Sequence, residues 1–221
     1  MQLLEILNKA SKEELNGLAK ILGVEEKVAA TPRNLNKELL SNDSLYGNIF
    51  TNNEEKYSKL VRKTAKKVKV KNVANYSVED LEMKIAQKVF KKMWDKMSPE
   101  QRRDLEAELK KIAKENGKEK VIFANAGVFA ALMAANLSGF GLYLLATTSL
   151  SAITGMMGIA LPFAAYTTLS GAIGVIIGPV GWIGAGLIAL FSLSGPNYKK
   201  VIPSILYISM LRNKQKEFYL N

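Results

Sequence analysis

Apolar positions recur every three or four residues along most of residues 1–120, the spacing that lines one face of an α-helix. Leu3, Leu4, Ile6 and Leu7 open the pattern as a short helix. Ser11-Lys12-Glu13-Glu14 then reads as a capping box: the serine oxygen accepts from the amide three residues on, and Glu14 reaches back to the Ser11 amide. Leu15, Leu18, Ala19 and Leu22 follow at helical spacing, and Gly23 supplies the left-handed residue that ends such a helix. Thr31-Pro32 opens the next helix, because proline at the first position gives up only an N–H without an intrahelical partner. Leu35, Leu39 and Leu40 are its apolar face.

Residues 41–53, rich in Asn, Ser and Asp, read as a loop. Tyr57, Leu60, Val61, Thr64, Ala65 and Val68 restore the helical period over 54–68. Ser77 and Asp80 cap a helix over 78–97 with the stripe Val78, Leu81, Ile85, Val89, Met93 and Met97, and Trp94 beside it. Ser98-Pro99 starts a further helix with Leu105, Leu109 and Ile112 inward and Gly117 at its end, completing an αα-hairpin. Strand signals are confined to a short alternation of Val and Lys over 68–73. The spacing predicts an all-α fold.

The pattern changes at Val121. From there to Tyr198 the chain has no Asp, Glu, Lys or Arg, and it holds 12 of the 16 glycines. About 20 apolar residues already span a bilayer, so this run predicts a membrane-active region rather than one buried helix. Thr147-Thr148-Ser149 divides it into arms of 121–148 and 150–177, a helical hairpin with Pro162 as a kink. Gly178-Pro179-Val180-Gly181 interrupts the run before a shorter apolar piece, 182–193. Gly171, Gly174, Gly178, Gly181 and Gly184 recur every three or four residues, the small-residue spacing of helix contacts in membranes. Glycine costs about 1 kcal/mol per helical position in water, so the repetition calls for another helix packed against it. Three regions follow: an amphipathic helical bundle (1–120), the uncharged glycine-rich run (121–198) and a basic C-terminal helix or tail (199–221). The tail is apolar on one face and is expected to lie on a surface.

Charge sharpens the picture. The net charge is +11, carried on both flanks of the uncharged run. Lys118, Lys120, Lys199 and Lys200 bracket that run and, with Trp182, are the expected membrane-interface or anionic-lipid residues. Arg62, Lys63, Lys66, Lys67 and Lys69 cluster at the end of helix 54–68. That cluster reads as helix-end chemistry or as a patch for lipid or a partner; without interleaved aromatics, nucleic acid is the weaker reading.

Cys and His are absent, which excludes disulfides, Cys/His zinc sites, a cysteine nucleophile and a Ser-His-Asp triad. The start Met1-Gln2-Leu3-Leu4-Glu5 lacks a signal-peptide pattern. There is no Walker A loop, HExxH or GxSxG. The expectation is a non-enzymatic protein with no cofactor and no metal.

The stretch Lys56-Tyr57-Ser58-Lys59-Leu60-Val61, the run Lys88-Val89-Phe90-Lys91-Lys92-Met93-Trp94-Asp95-Lys96-Met97 and the helix from Pro99 resemble the YaaW family of bacterial proteins. Gly178-Pro179-Val180-Gly181 and Tyr198 to Arg212, with Ile202-Pro203 and Met210-Leu211-Arg212, resemble it too. The family is grouped with ubiquinol–cytochrome c chaperone-like domains. The resemblance implies a helical fold and an assembly or membrane-linked role, and brings no catalytic residues. The long uncharged run departs from the family pattern.

The functional expectation is a bacterial protein made in the cytoplasm whose hairpin inserts into or permeabilises the inner membrane, as a toxin or defence effector does. The run either spans the bilayer or is sheathed by the amphipathic helices until it meets one. The alternatives are a membrane-anchored assembly factor or chaperone and an immunity protein against a pore-former. Expected partners are the lipid bilayer, further copies of the chain, and a protein bound through helices 78–116.

Overall fold

The computed structural model describes residues 1–42, 52–123, 127–134, 137–159, 161 and 197–218. Serine, threonine and asparagine caps set where the first helices begin. These are α1 (Leu3–Asn8), α2 (Lys12–Leu22), α3 (Pro32–Ser41), α4 (Asn53–Lys67), α5 (Val78–Lys96) and α6 (Pro99–Glu115). The expected capping box forms at α2, where the Ser11 amide donates to Glu14 Oε2 at 2.8 Å and the Glu14 amide to Ser11 Oγ at 3.3 Å. Ser77 with Asp80 and Ser98 with Gln101 repeat it at α5 and α6, each cap being worth about 1 kcal/mol. Then come α7 (Glu119–Phe123), α8 (Val128–Leu132), α9 (Gly139–Met156) and α10 (Tyr198–Phe218). The described residues contain no strand, and the fold is all-α. The Val/Lys alternation near residue 70 instead forms a turn and a 3₁₀ helix, Val73–Asn75.

The last helix sits in the middle. From Val201 to Asn213 every residue of α10 is buried. It packs most extensively against α9, and also against α2, α5, α1 and α4. The expectation of a surface-lying tail is therefore corrected. Ile202, Ile205 and Leu206 point one way, but Val201, Tyr207, Ile208 and Leu211 fill the other sides, so no face is left for water.

The first arm of the expected membrane hairpin is not one helix. It breaks after α7 and again after α8, and only α9 is long. Among the described residues no helix is long and apolar enough to cross a membrane. This overturns the inserted hairpin, and with it the toxin, pore-forming and inner-membrane readings built on it. The second arm is described only to Ile159 and at Leu161; Gly171, Gly174, Gly178, Gly181, Gly184 and Trp182 lie outside the described residues. The physical reason is visible in α9, whose apolar surface is covered by α10 and α5. Its buried hydroxyls return to the carbonyl four residues back, Thr147 to Tyr143 and Thr148 to Leu144 at 2.7 Å, which satisfies them without water. Ser149 reaches instead to the Ala86 carbonyl of α5 at 3.2 Å.

Enclosing α10 also encloses Arg212. Its Nε and Nη2 meet Glu82 of α5 at 3.0 and 2.9 Å, and Nη1 meets Glu79 at 3.1 Å and the Met1 carbonyl. Tyr57 of α4 donates its hydroxyl to Glu82 Oε1 at 2.8 Å. Burial works against the guanidinium charge, but Glu82, then Tyr57 and Glu79, outweigh it and hold Arg212 protonated, above its ordinary value. Burial pushes the Glu82 carboxyl up, with Arg212 pulling against it. Burial, followed by Glu82, pushes the Tyr57 hydroxyl well up, so it remains a donor.

Two predictions follow from this network. Arg212→Met leaves Glu82 buried without its counter-ion and should destabilise the protein by about 3–5 kcal/mol, whereas Arg212→Met combined with Glu82→Met should recover most of that loss. Urea unfolding of both variants checks it, and equal losses would show that the charge is not what the site balances. Partial burial opposes the Glu79 charge, but Lys216 and Arg212 hold its carboxyl below the ordinary glutamate value. A carboxylate with a depressed folded value contributes stability at neutral pH that disappears as pH falls through that value. The acid limb of the stability curve, below a pH of about 4.5, should accordingly be shallower in Glu79→Gln than in the wild type.

Candidate functional site

Helix α5 has two differently used sides. Leu81, Ile85, Val89 and Met93 point into the core, while Lys84, Lys88, Lys91 and Lys92 recur at helical spacing on the other side. Lys84 Nζ lies 4.3 Å from the Tyr76 ring centroid, and Lys91 pairs with Asp95 at 2.7 Å. Charged side chains at these positions are the ordinary outer face of an amphipathic helix. Two additions make this face unusual.

The first is aromatic. Trp94 and Phe129 of α8 are both half-exposed, with ring centroids 5.2 Å apart, and rest on buried Phe90 at 5.8 and 6.0 Å. The Arg102 guanidinium of α6 sits 5.7 Å from the Trp94 ring, and its Nε donates to the Trp94 carbonyl at 3.0 Å. That bond joins the one the Met97 amide donates to the same carbonyl at 3.1 Å, at the C-terminal end of α5. Gln87 holds α8 in place by donating to the Leu132 and Ala134 carbonyls at 3.3 and 3.0 Å. The rings are thus fixed by hydrogen bonds from both neighbouring helices.

The second is a convergence of positive charge. Lys92 is partly buried, and its ammonium pKa is lowered by that burial and then by Lys69 and Lys88. Lys69 comes from the turn after α4. There Val70 N–H donates to the Ala65 carbonyl at 2.9 Å and Lys69 N–H to Lys66 at 3.0 Å, which is a Schellman termination. Its left-handed position is Lys69 itself, with φ 64°.

The other expected basic residues go different ways. Arg62 turns inward, donating to the Val73 and Tyr76 carbonyls at 2.8 and 3.1 Å, and so fixes the turn that carries Lys69. Lys67 lies 5.4 Å from the ring of buried Tyr198, Lys63 is half-buried, and Lys66 is exposed near Lys69. Lys200 donates to the Leu22 carbonyl at the end of α2, where a cation complements the helix dipole. Lys199 and Lys120 are exposed and Lys118 half-buried; they do not converge on the α5 face. A cleft of about 90 Å³ lies beside Arg212, lined by Glu79, Asp80, Glu82 and Lys216 among others. Glu79, Glu82, Arg212 and Lys216 are engaged with one another and Asp80 with Ser77 at the α5 cap, so the cleft belongs to the buried ion network.

No family model matches the chain, and no solved structure matches it. A UPF0174 protein from Helicobacter pylori is similar, 24% identical over 162 residues. The match covers 73% of this chain and 62% of that protein, so the chain spans less than two thirds of the curated relative's length. The relative's name states no activity, and nothing in these comparisons bears on the YaaW resemblance.

Sequence reasoning placed Lys69 in a patch and assigned Trp94 to core packing, and Trp94 does pack, partly buried, against the core; it missed Lys88, Lys92, Arg102 and Phe129. The i, i+4 lysines opposite the apolar stripe of α5 were a readable signal. Phe129, inside the uncharged run, carried none.

Replacing Lys69 by glycine should stabilise the protein by about 1 kcal/mol, since glycine adopts the left-handed conformation without the penalty of a side chain. The same change should raise the Lys92 ammonium pKa, because a neighbouring positive charge is removed. Thermal unfolding and NMR titration of the Lys92 ammonium check the two halves.

Proposed function

We propose that the protein is a non-catalytic binding protein that docks an acidic protein partner on the outer face of α5 and the adjoining α8. The observation that carries this reading is the half-exposed Trp94–Phe129 pair held under Arg102. Trp and Arg dominate the binding energy of protein interfaces, and rings pinned from below lose little freedom on contact. Lys91 lies 6.0 Å from the Phe129 ring, and Lys84, Lys88 and Lys92 continue the positive charge along the same helix, which selects a negatively charged partner and speeds its approach. A second copy of the chain would bring the same positive face, on a protein of net charge +11, so self-docking here is disfavoured. A docking role also fits the assembly role that the YaaW resemblance implies.

A photo-crosslinker placed at Lys91 tests the reading in cells. The expected result is one discrete adduct with a protein whose crosslinked peptide is rich in Asp and Glu. Its yield should fall about tenfold in Trp94→Ala, the loss of one hot-spot residue, and should fall again with added salt in lysate. An adduct pattern matching that from a crosslinker at Lys110 on α6, or one unaffected by Trp94→Ala, would sink the proposal.

A further inference from the structure

Helix α8 is five residues long, and a helix that short holds no shape of its own in water. Its N-cap, Gly127, supplies no side-chain cap. Val128 and Leu132 are fully buried, a small apolar anchor beside the unbroken buried stretch of α10 from Val201 to Asn213. Among the described residues, a single side chain from another element hydrogen-bonds to residues 127–134, and it is Gln87. Its amide donates to the carbonyl of Leu132, the last residue of α8, and to that of Ala134 just beyond, at 3.3 and 3.0 Å. Carbonyls at a helix end have no intrahelical partner, so one amide both completes α8 and ties it to α5.

Gln87 is 8% exposed. A methionine would fill a buried position on α5 without needing a partner, whereas an amide there demands one. What α8 brings to the surface in return is Phe129, with its ring 5.2 Å from Trp94 and 6.0 Å from Phe90. Trp94 belongs to α5 and is braced by Arg102 through its carbonyl, so its place does not depend on α8. The place of Phe129 does.

We propose that α8 is a clasp held shut by the Gln87 amide, able to open while the rest of the bundle stays folded, and that the Trp94–Phe129 surface exists only while it is shut. Opening hands the amide and both carbonyls to water, which satisfies them, so no orphaned polar group opposes it. The Arg212–Glu82 pair is the opposite case, because parting it strands a charge. Units with few buried apolar side chains open locally ahead of the global transition. A partner that touches Phe129 and Trp94 together binds the shut form, draws α8 shut, and has an affinity scaled by the shut fraction. That coupling rests on the docking surface proposed above; the clasp itself does not.

Hydrogen exchange of the full chain, read by mass spectrometry, tests the clasp without any partner. Residues 127–134 should exchange faster than α9 and α10. Gln87→Met should speed them about tenfold more, the scale of a lost buried hydrogen bond, and leave α9 and α10 unchanged. Acrylamide quenching of Trp94 gives a second readout in a Trp182→Phe background, which leaves Trp94 as the sole tryptophan. Gln87→Met should raise the quenching toward the level of Phe129→Ala, and adding it to Phe129→Ala should change nothing further. Equal acceleration in α9 and α10, unchanged exchange at 127–134, or additive quenching would each overturn the clasp. For the coupling, the adduct from the crosslinker at Lys91 should fall in yield in Gln87→Met as it does in Phe129→Ala. A yield kept in Gln87→Met but lost in Phe129→Ala would overturn the coupling. No adduct in the wild type would sink the docking surface, while the exchange result still decides the clasp.

Discussion

A helix segment buried on every side has nowhere to put a charge, and residues 201–213 of α10 carry one at Arg212. Everything around the C-terminal half of α10 is arranged by that constraint. Glu82 supplies a two-pronged carboxylate at 2.9 and 3.0 Å, Tyr57 braces the carboxylate from α4, and Glu79 adds a second acid at the cleft. The result ties α4, α5 and α10 through atoms whose geometry tolerates little drift, because an unpaired charge in that interior costs several kcal/mol. On either side of Arg212, Tyr207 and Lys214 reach the carbonyl and carboxylate of Glu14 at 2.7 Å, and Gln215 reaches the Ile6 carbonyl at 3.0 Å. The final helix thereby fixes the first two.

The anchored inner side of α5 frees its outer side. Apolar residues and Glu82 hold the helix inward, so its outer lysines contribute little to the fold and can serve another purpose. Arg62 does comparable work for the neighbouring turn by bonding the Val73 and Tyr76 carbonyls.

How much of this could be read in advance depends on the range of the interaction. Caps are local, so Ser11, Ser77 and Ser98 announced their helices correctly, and Gly23 and Gly117 announced the ends. Apolar stripes are local too, and the core faces of α2, α4, α5 and α6 matched them. The long uncharged run misled because absence of charge is common to membrane helices and to helices enclosed by other helices. In α9, hydroxyls folded back onto their own carbonyls let polar side chains share that interior. Trp94 was legible as an apolar residue, but its half-exposed stack with Phe129 depends on α8, which breaks the uncharged run at a place the periodicity did not mark.

The sequence by itself determined an all-helical chain, the starts of most of its early helices, and the absence of cysteine and histidine chemistry. These follow from side chains acting within one turn of their own backbone. Tertiary structure alone decided that the last helix occupies the centre and that Arg212 finds Glu82 some 130 residues away. Those outcomes depend on which apolar faces cover which others, and a pattern read along one strand of sequence holds no information about its partner.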